Sequence, residues 1–401
     1  MSEANAVAIT GYGGICAAGK SPGEIWESLL NGACEPSPPF SLDQAGLKAL
    51  NYPAFLLNYP DLGLRRHYSA ADTLNLARLC ARQALAMGQL ASLEEQNACL
   101  VMGTTAGSAL HFLSGYQKIR QGELKPSPDL LEYRTSNLAL ALGAEFKVGG
   151  PKITISNACT SGADAIGLGF DYLCTGQGDL ALVGGADALG IIPHTGFARL
   201  LIASSQRVRP FDQRRQGLNL GEGAACLLLE NAEHAKKRRA TIYGYVRGYG
   251  QGQDAYHFTA PHPLGLGLSQ AIRQALALAK AKASDISFIN AHGTGTIEND
   301  RVEGRTLLKI FQDTPVWASK GTTGHTLGAA GALEALFCLL ALKAKLIPKS
   351  QGFAVPDPEI GLQPTCQSQL CLGKLALSTS LGFGGNNAAL LIEGEKNAGR
   401  S

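Results

Sequence analysis

Charged residues are scarce in this 401-residue chain, at 17%, and neither sign prevails: 35 Lys and Arg face 32 Asp and Glu, for a net charge of +3. That balance excludes wholesale binding of nucleic acid through phosphate neutralisation, although local basic patches remain. Long apolar runs are missing as well. The best candidate, 335–342, is closed off by Glu334 and Lys343 and falls far short of the roughly 20 residues a bilayer requires, so no membrane partner is expected. Met1-Ser-Glu-Ala-Asn is acidic and the apolar stretch behind it spans only Ala6 to Ile9, so a signal peptide is not expected. No CxxC pair occurs, and the ten cysteines read as reduced thiols of a cytoplasmic protein, most of them small buried hydrophobes. Against these absences stand a 45% hydrophobic content, ample for a large core, and 49 glycines scattered without a triplet repeat, which excludes collagen. A turn-rich α/β enzyme of two to three domains fits this composition.

Short β-type runs alternate with Ala/Leu-rich stretches, the pattern of a parallel or mixed sheet covered by helices. Strands are expected at 6–10, 98–102, 152–155, 180–183, 224–229, 241–248, 286–290, 315–318 and 388–392. Helices are expected at 22–30, 71–87, 163–174, 267–279, 302–311 and 329–342. One internal similarity organises the chain: residues 221–230 can be laid on 384–393, an offset of 163 that also carries Ser156-Asn-Ala-Cys159 onto Ser319-Lys-Gly-Thr322. Two similar halves follow, 1–238 and 239–401, divided near the basic run at 235–239 and without a flexible linker.

Four segments carry chemistry. In Ile155-Ser-Asn-Ala-Cys-Thr-Ser-Gly162 a strand breaks at small residues before a helix, where N–H groups and the helix dipole favour a thiolate and Cys159 becomes a nucleophile candidate. Such a turn also occurs as ordinary packing. Asn290-Ala-His-Gly-Thr-Gly-Thr296 places His292 at the carboxyl edge of the sheet, with Thr294 and Thr296 adding uncharged hydroxyls; a lone histidine there is more often a satisfied core residue. Lys320-Gly-Thr-Thr-Gly-His325 leads into a small-residue helix ending at Glu334, and Lys320 and Glu334 cannot both be buried cheaply unless they pair. Gly382-Phe-Gly-Gly-Asn-Asn387 matches neither GxGxxG nor the P-loop, which discounts nucleotide binding.

Together, and in this order behind Val7-Ala-Ile-Thr-Gly-Tyr-Gly, the segments resemble those of β-ketoacyl-acyl carrier protein synthases, the ketosynthases of the Cys-His-His elongating type in the thiolase superfamily, over nearly the whole chain. The resemblance implies the thiolase fold, two βαβαβαββ halves layered α-β-α-β-α. It implies that Cys159 takes an acyl chain from a carrier-protein thioester and that the amides of Cys159 and Phe383 form the oxyanion hole. Neutral His292 and His325 would stabilise the enolate left when malonyl carrier protein loses CO2. Lys320 would hold His325 through Glu334, Thr294 and Thr296 would bind the phosphopantetheine arm, and Phe383 would gate the site. Asp300 and Glu303 fall on positions of structural polar or cation contact, of which the structural role is favoured. Ala106 and Leu381 would line the acyl pocket, and their small size points to an unusual chain, as in aryl polyene or type II polyketide synthesis. Arg65, Arg66, His67, Arg207, Arg209, Arg214 and Arg215 are docking candidates for an acidic carrier protein.

No metal and no permanently bound cofactor are implied; the partners are acyl carrier protein and a second subunit, either a copy of this chain or a chain-length factor. Three alternatives weigh against this reading. A chain-length factor usually lacks the nucleophile that Cys159 supplies. A thiolase needs a second, late cysteine, whereas Cys366 and Cys371 lie outside the Gly-rich turn. A Cys-His-Asn initiating synthase has asparagine where His325 stands.

Overall fold

The computed structural model describes residues 7–37, 52–59, 70–105, 107, 113–123, 125 and 137–395. The N-terminal half contains β1 (Val7–Cys16), α1 (Pro22–Asn31), α2 (Ala70–Met87), β2 (Ala98–Gly103), α3 (Leu113–Arg120) and α4 (Asn137–Glu145). It continues with β3 (Lys152–Ile155), α5 (Ser161–Cys174), β4 (Leu180–Asp187), α6 (Ile191–Arg199), β5 (Gly223–Asn231) and α7 (Ala232–Lys237). The C-terminal half begins with β6 (Gly244–Gln253), α8 (Leu266–Ala279), β7 (Phe288–Ala291), α9 (Ile297–Phe311), β8 (Val316–Ala318) and α10 (Lys320–Thr323). It ends with α11 (Ala330–Ala344), β9 (Leu346–Ile347), β10 (Gln369–Leu370), β11 (Leu375–Gly382) and β12 (Asn386–Gly394).

Local signals account for the element ends. Ser21 accepts the Glu24 amide at the start of α1, Pro22 fills the first turn, and Gly32 closes the helix at φ 66°. Strands β4 and β5 are buried along nearly their whole length and so read as continuous apolar runs.

Ten strands form one sheet in the order β3-β2-β4-β5-β1-β6-β12-β11-β7-β8. Read inward from either edge the pattern is the same, third strand, second, fourth, fifth, first, so the duplication is visible in the topology. The halves join where β1 pairs with β6 over Val7–Ile9 and Gly244–Val246. Helices α2 and α4 cover the first half-sheet and α8 the second, while α5 and α11 contact strands of both halves and each other, giving the layers α-β-α-β-α. Strands β5 and β12 keep the 163-residue offset at both ends.

Helix α11 is apolar all round, as a central helix must be. Its apolar stretch is longer than the eight residues counted from the sequence. Leu327–Ala344 has a mean hydropathy of 1.7 and enough length to cross a bilayer, yet 89% of it is buried inside the protein, so its apolarity serves the core. Strand β11 was not expected, because Ser378, Thr379 and Ser380 interrupt its apolar pattern although all three are buried.

Candidate active site

The central helices bring the four segments together. Close contact between α5 and α11 depends on glycine: a Cβ on Gly162 would lie 2.8 Å from both the Ala332 nitrogen and the Gly328 oxygen. Cys159 stands just before α5 on a turn whose preceding residue, Ala158, takes the left-handed region at φ 50°. The Cys159 sulfur and one ring nitrogen each of His292 and His325 lie within 4.8 Å of one another, all buried. The two rings meet edge to face, 5.1 Å apart. A cavity of about 310 Å³ opens onto the sulfur, lined also by Phe383, Thr294, Thr296 and Leu381.

Hydrogen bonds set the protons on both histidines. The Leu327 amide donates to Nδ1 of His325 at 3.0 Å, and Nζ of Lys320 lies 3.2 Å from Nδ1 of His292. With each Nδ1 serving as acceptor, the neutral ring carries its proton on Nε2. Burial, then the Lys320 ammonium, holds both imidazoles well below their ordinary range, so they are neutral donors.

Lys320 also pairs with Glu334, both nearly inaccessible, and burial pushes the Glu334 carboxyl up to about 7 although Lys320 pulls it down. The sequence reading had Lys320 steering His325; it instead touches His292, because His325 is already held by the Leu327 amide. Its ammonium beside the rings suits an anion between them and opposes a bound cation.

A second expectation is corrected at Cys159. The helix N-terminus was expected to hold a thiolate, but burial pushes the thiol up to about 12 against the pull of Lys320 and of the Phe383 N–H, which points at the sulfur.

The loop after β7 is organised by two buried carboxylates. Glu303 accepts the amides of His292 and Gly293 at 2.7 and 2.8 Å, and Asp300 accepts those of Phe211 and Gly295 at 2.7 and 3.1 Å. Both therefore play structural roles. Thr294 and Thr296 share a hydroxyl contact of 2.8 Å at the cavity wall. Phe383, at the β11–β12 turn, stacks on Phe197 of α6 at 5.4 Å. Phe197 and the Leu327 amide were missed; no motif marks the first, and a backbone donor leaves no trace in side-chain chemistry.

Two docking candidates are otherwise engaged. Arg207 donates to the Gly321 and Cys34 carbonyls and pairs with Glu35, and buried Arg215 pairs with Asp357 at 2.5 Å. Arg214 is exposed and Arg209 half-buried. Arg65, Arg66, His67 and Ala106 lie outside the described residues.

A buried cysteine, two buried imidazoles and a glycine-rich turn meet on a duplicated α/β frame, the arrangement of a condensing enzyme of thiolase fold. The family described as beta-ketoacyl synthase matches with its N-terminal domain over residues 4–235 and its C-terminal domain over 243–354. Nodulation protein E of Rhizobium meliloti is 33% identical over 402 residues, covering 96% of this chain and 98% of that protein. The 3-oxoacyl-[acyl-carrier-protein] synthase 2 of Coxiella burnetii is 32% identical, covering 97% and 99%. A solved structure titled the ishigamide ketosynthase/chain length factor matches with a TM-score of 0.87 at 29% identity, covering 98% of this chain and 99% of that one. The chain belongs to the β-ketoacyl synthase family and is an acyl-transferring, carbon–carbon bond-forming enzyme.

Proposed function

We infer that the chain elongates an acyl group held on Cys159 by decarboxylative Claisen condensation with malonyl-acyl carrier protein, in fatty acid or type II polyketide synthesis. The observation that carries this reading is the buried pair of imidazoles beside the Cys159 sulfur, each with its Nδ1 engaged by a neighbouring N–H donor. In the first step the Cys159 sulfur attacks the carrier thioester, the amides of Cys159 and Phe383 hold the oxyanion, and the thiol proton ends on the departing pantetheine sulfur. In the second, malonyl carrier protein loses CO2 and its enolate oxygen accepts from His292 and His325. The enolate carbon then attacks the Cys159 thioester, and the expelled cysteine sulfur takes up one proton from solvent. Neutral donors suit this step, because an acid would quench the enolate.

Lys320, fixed by Glu334, orients His292. Thr294 and Thr296 face the cavity where the phosphopantetheine arm, the only carrier group the reaction requires, would enter. Phe383 gates that entrance against Phe197, and Leu381 bounds the acyl side. The working halves are 1–238, carrying the nucleophile, and 239–401, carrying the histidines. The chain acts in the cytoplasm with acyl carrier protein and a second subunit, a copy of itself or a chain-length factor as in the ishigamide assembly. Among the described residues strand β3 has no strand beyond it at the end of the sheet and Ile153 is exposed, which supports such pairing. A chain-length-factor role is disfavoured by the intact cysteine and histidines. A thiolase role is disfavoured because Cys159 is the only cysteine lining the cavity among the described residues.

The test is intact-mass spectrometry after incubation with acyl and malonyl carrier proteins, with and without a partner subunit. An acyl adduct that is lost in Cys159→Ala, with elongated product on the carrier, is expected; no adduct from any donor would sink the assignment.

A further inference from the structure

Asp187 closes β4 and takes no part in the steps above. It is 4% exposed, and three donors converge on its carboxylate: the Gly328 amide at 2.7 Å, the Thr105 amide at 2.8 Å and the Thr104 hydroxyl at 2.6 Å. These donors come from the two sides of the site. The Thr105 carbonyl accepts the Ser156 hydroxyl at 2.5 Å, and Ser156 opens the turn that ends in Cys159. Gly328 directly follows Leu327, whose amide sets the proton on His325.

The fit is close, since a Cβ on Gly328 would lie 2.5 Å from the Thr105 nitrogen and 2.7 Å from Oδ2 of Asp187. No cation stands among these contacts, and burial pushes the carboxyl up to about 6. A buried anion held only by neutral donors is costly to keep, and here it spans the two halves beneath the reacting groups.

We propose that Asp187 is a positioning residue for the condensing step: through Gly328 it holds the Leu327 turn, and hence the ring of His325, in register with the Cys159 turn. The inference rests on the reading of His325 as a donor to the enolate. Asp187→Ala removes every acceptor. Asp187→Asn restores the acceptor of the Gly328 and Thr105 amides with its carbonyl, while its own amide donates to the Thr104 oxygen in place of accepting from it.

Two half-reactions separate the roles: acyl transfer to Cys159, read as intact mass, and CO2 release from malonyl carrier protein. Asp187→Ala should lower CO2 release by about tenfold or more, a loss typical of groups that orient a reacting side chain. Acyl transfer should stay within about threefold of wild type, and Asp187→Asn should bring CO2 release back to about the same margin. Asp187→Ser, which admits water beside the freed amides, is the second variant if the alanine protein does not fold. The proposal is overturned by an equal fall in both half-reactions, by no fall in either, by failure of asparagine to restore release, or by loss of the fold in both truncations. Wild type run alongside keeps the two readings apart: an inactive wild type sinks the synthase, whereas an active wild type with an undivided variant sinks only the role of Asp187.

Discussion

In the N-terminal half the third strand, β3, runs through one tight turn into α5; in the C-terminal half the third strand, β8, is followed by α10 and a further turn before α11 starts at Ala330. The short connection leaves room for one reacting side chain, Cys159. The longer one carries Lys320 and His325, and His292 joins them from the end of β7. A duplicated frame thus offers two equivalent ledges beside one central helix pair. Side chains, not topology, decide which ledge bears the nucleophile and which bears the donors.

Removing a donor breaks the division most sharply. His325→Ala should cut elongation by about 10²- to 10⁴-fold while Cys159 still takes an acyl group, as measured by product on the carrier and by intact mass. The charge on the C-terminal ledge comes next. Lys320→Met strands the buried Glu334 carboxylate and should cost about 3–5 kcal/mol of stability in chemical denaturation. The double substitution Lys320→Met with Glu334→Leu should recover most of that stability but not the condensing activity.

Packing between the ledges is a smaller effect. Gly162→Ala should destabilise by about 1–3 kcal/mol, because its Cβ meets backbone that cannot move aside. Gly196→Ala on α6 meets nothing within 4 Å and should be harmless in the same assay.

The buried imidazoles and the buried carboxylates also differ in how they respond to pH. His292 and His325 stay neutral well below 6.5, so as pH falls through 6.5 the unfolded chain gains protons that the folded one refuses, and stability is lost. Glu334 and Asp187, held up to about 7 and about 6, work the other way: the stability they withhold at neutral pH returns as they protonate. His292→Asn with His325→Asn keeps only the second effect. Relative to wild type its melting temperature should rise between pH 7 and pH 5, with an upper limit near ~1.4 kcal/mol per histidine for each pH unit. The smallest expected change is at the surface, where Arg214→Ala should raise the carrier-protein KM only a few-fold, and only at low salt.

Much of this was legible before any coordinates. Hydrophobic periodicity located nine of the sheet strands, and the offset between 221–230 and 384–393 survives as the equivalence of β5 and β12. Strand β11 escaped because it buries three hydroxyl residues in its centre: Thr379 donates to Glu303 at 2.8 Å, whereas the Ser378 and Ser380 hydroxyls have no partner among the described residues. Helix α6 escaped because Pro193 and Gly196 weaken its pattern. The pairing of Lys320 with Glu334 was foreseen, but the histidine it meets was misjudged for a different reason: Lys320 and His325 are near in sequence, but His292 arrives from another strand. Spacing along the chain could not rank the two.

The pairing of β1 between β5 and β6 has a consequence in time. Strand β1 is made well before its neighbours, which run over Gly223–Asn231 and Gly244–Val246, so it waits unpaired while residues 17–222 are made. A strand made early is thus seated late, and the seam between the halves closes only once both exist, a non-local step that sets a slow limit on how fast the molecule can assemble.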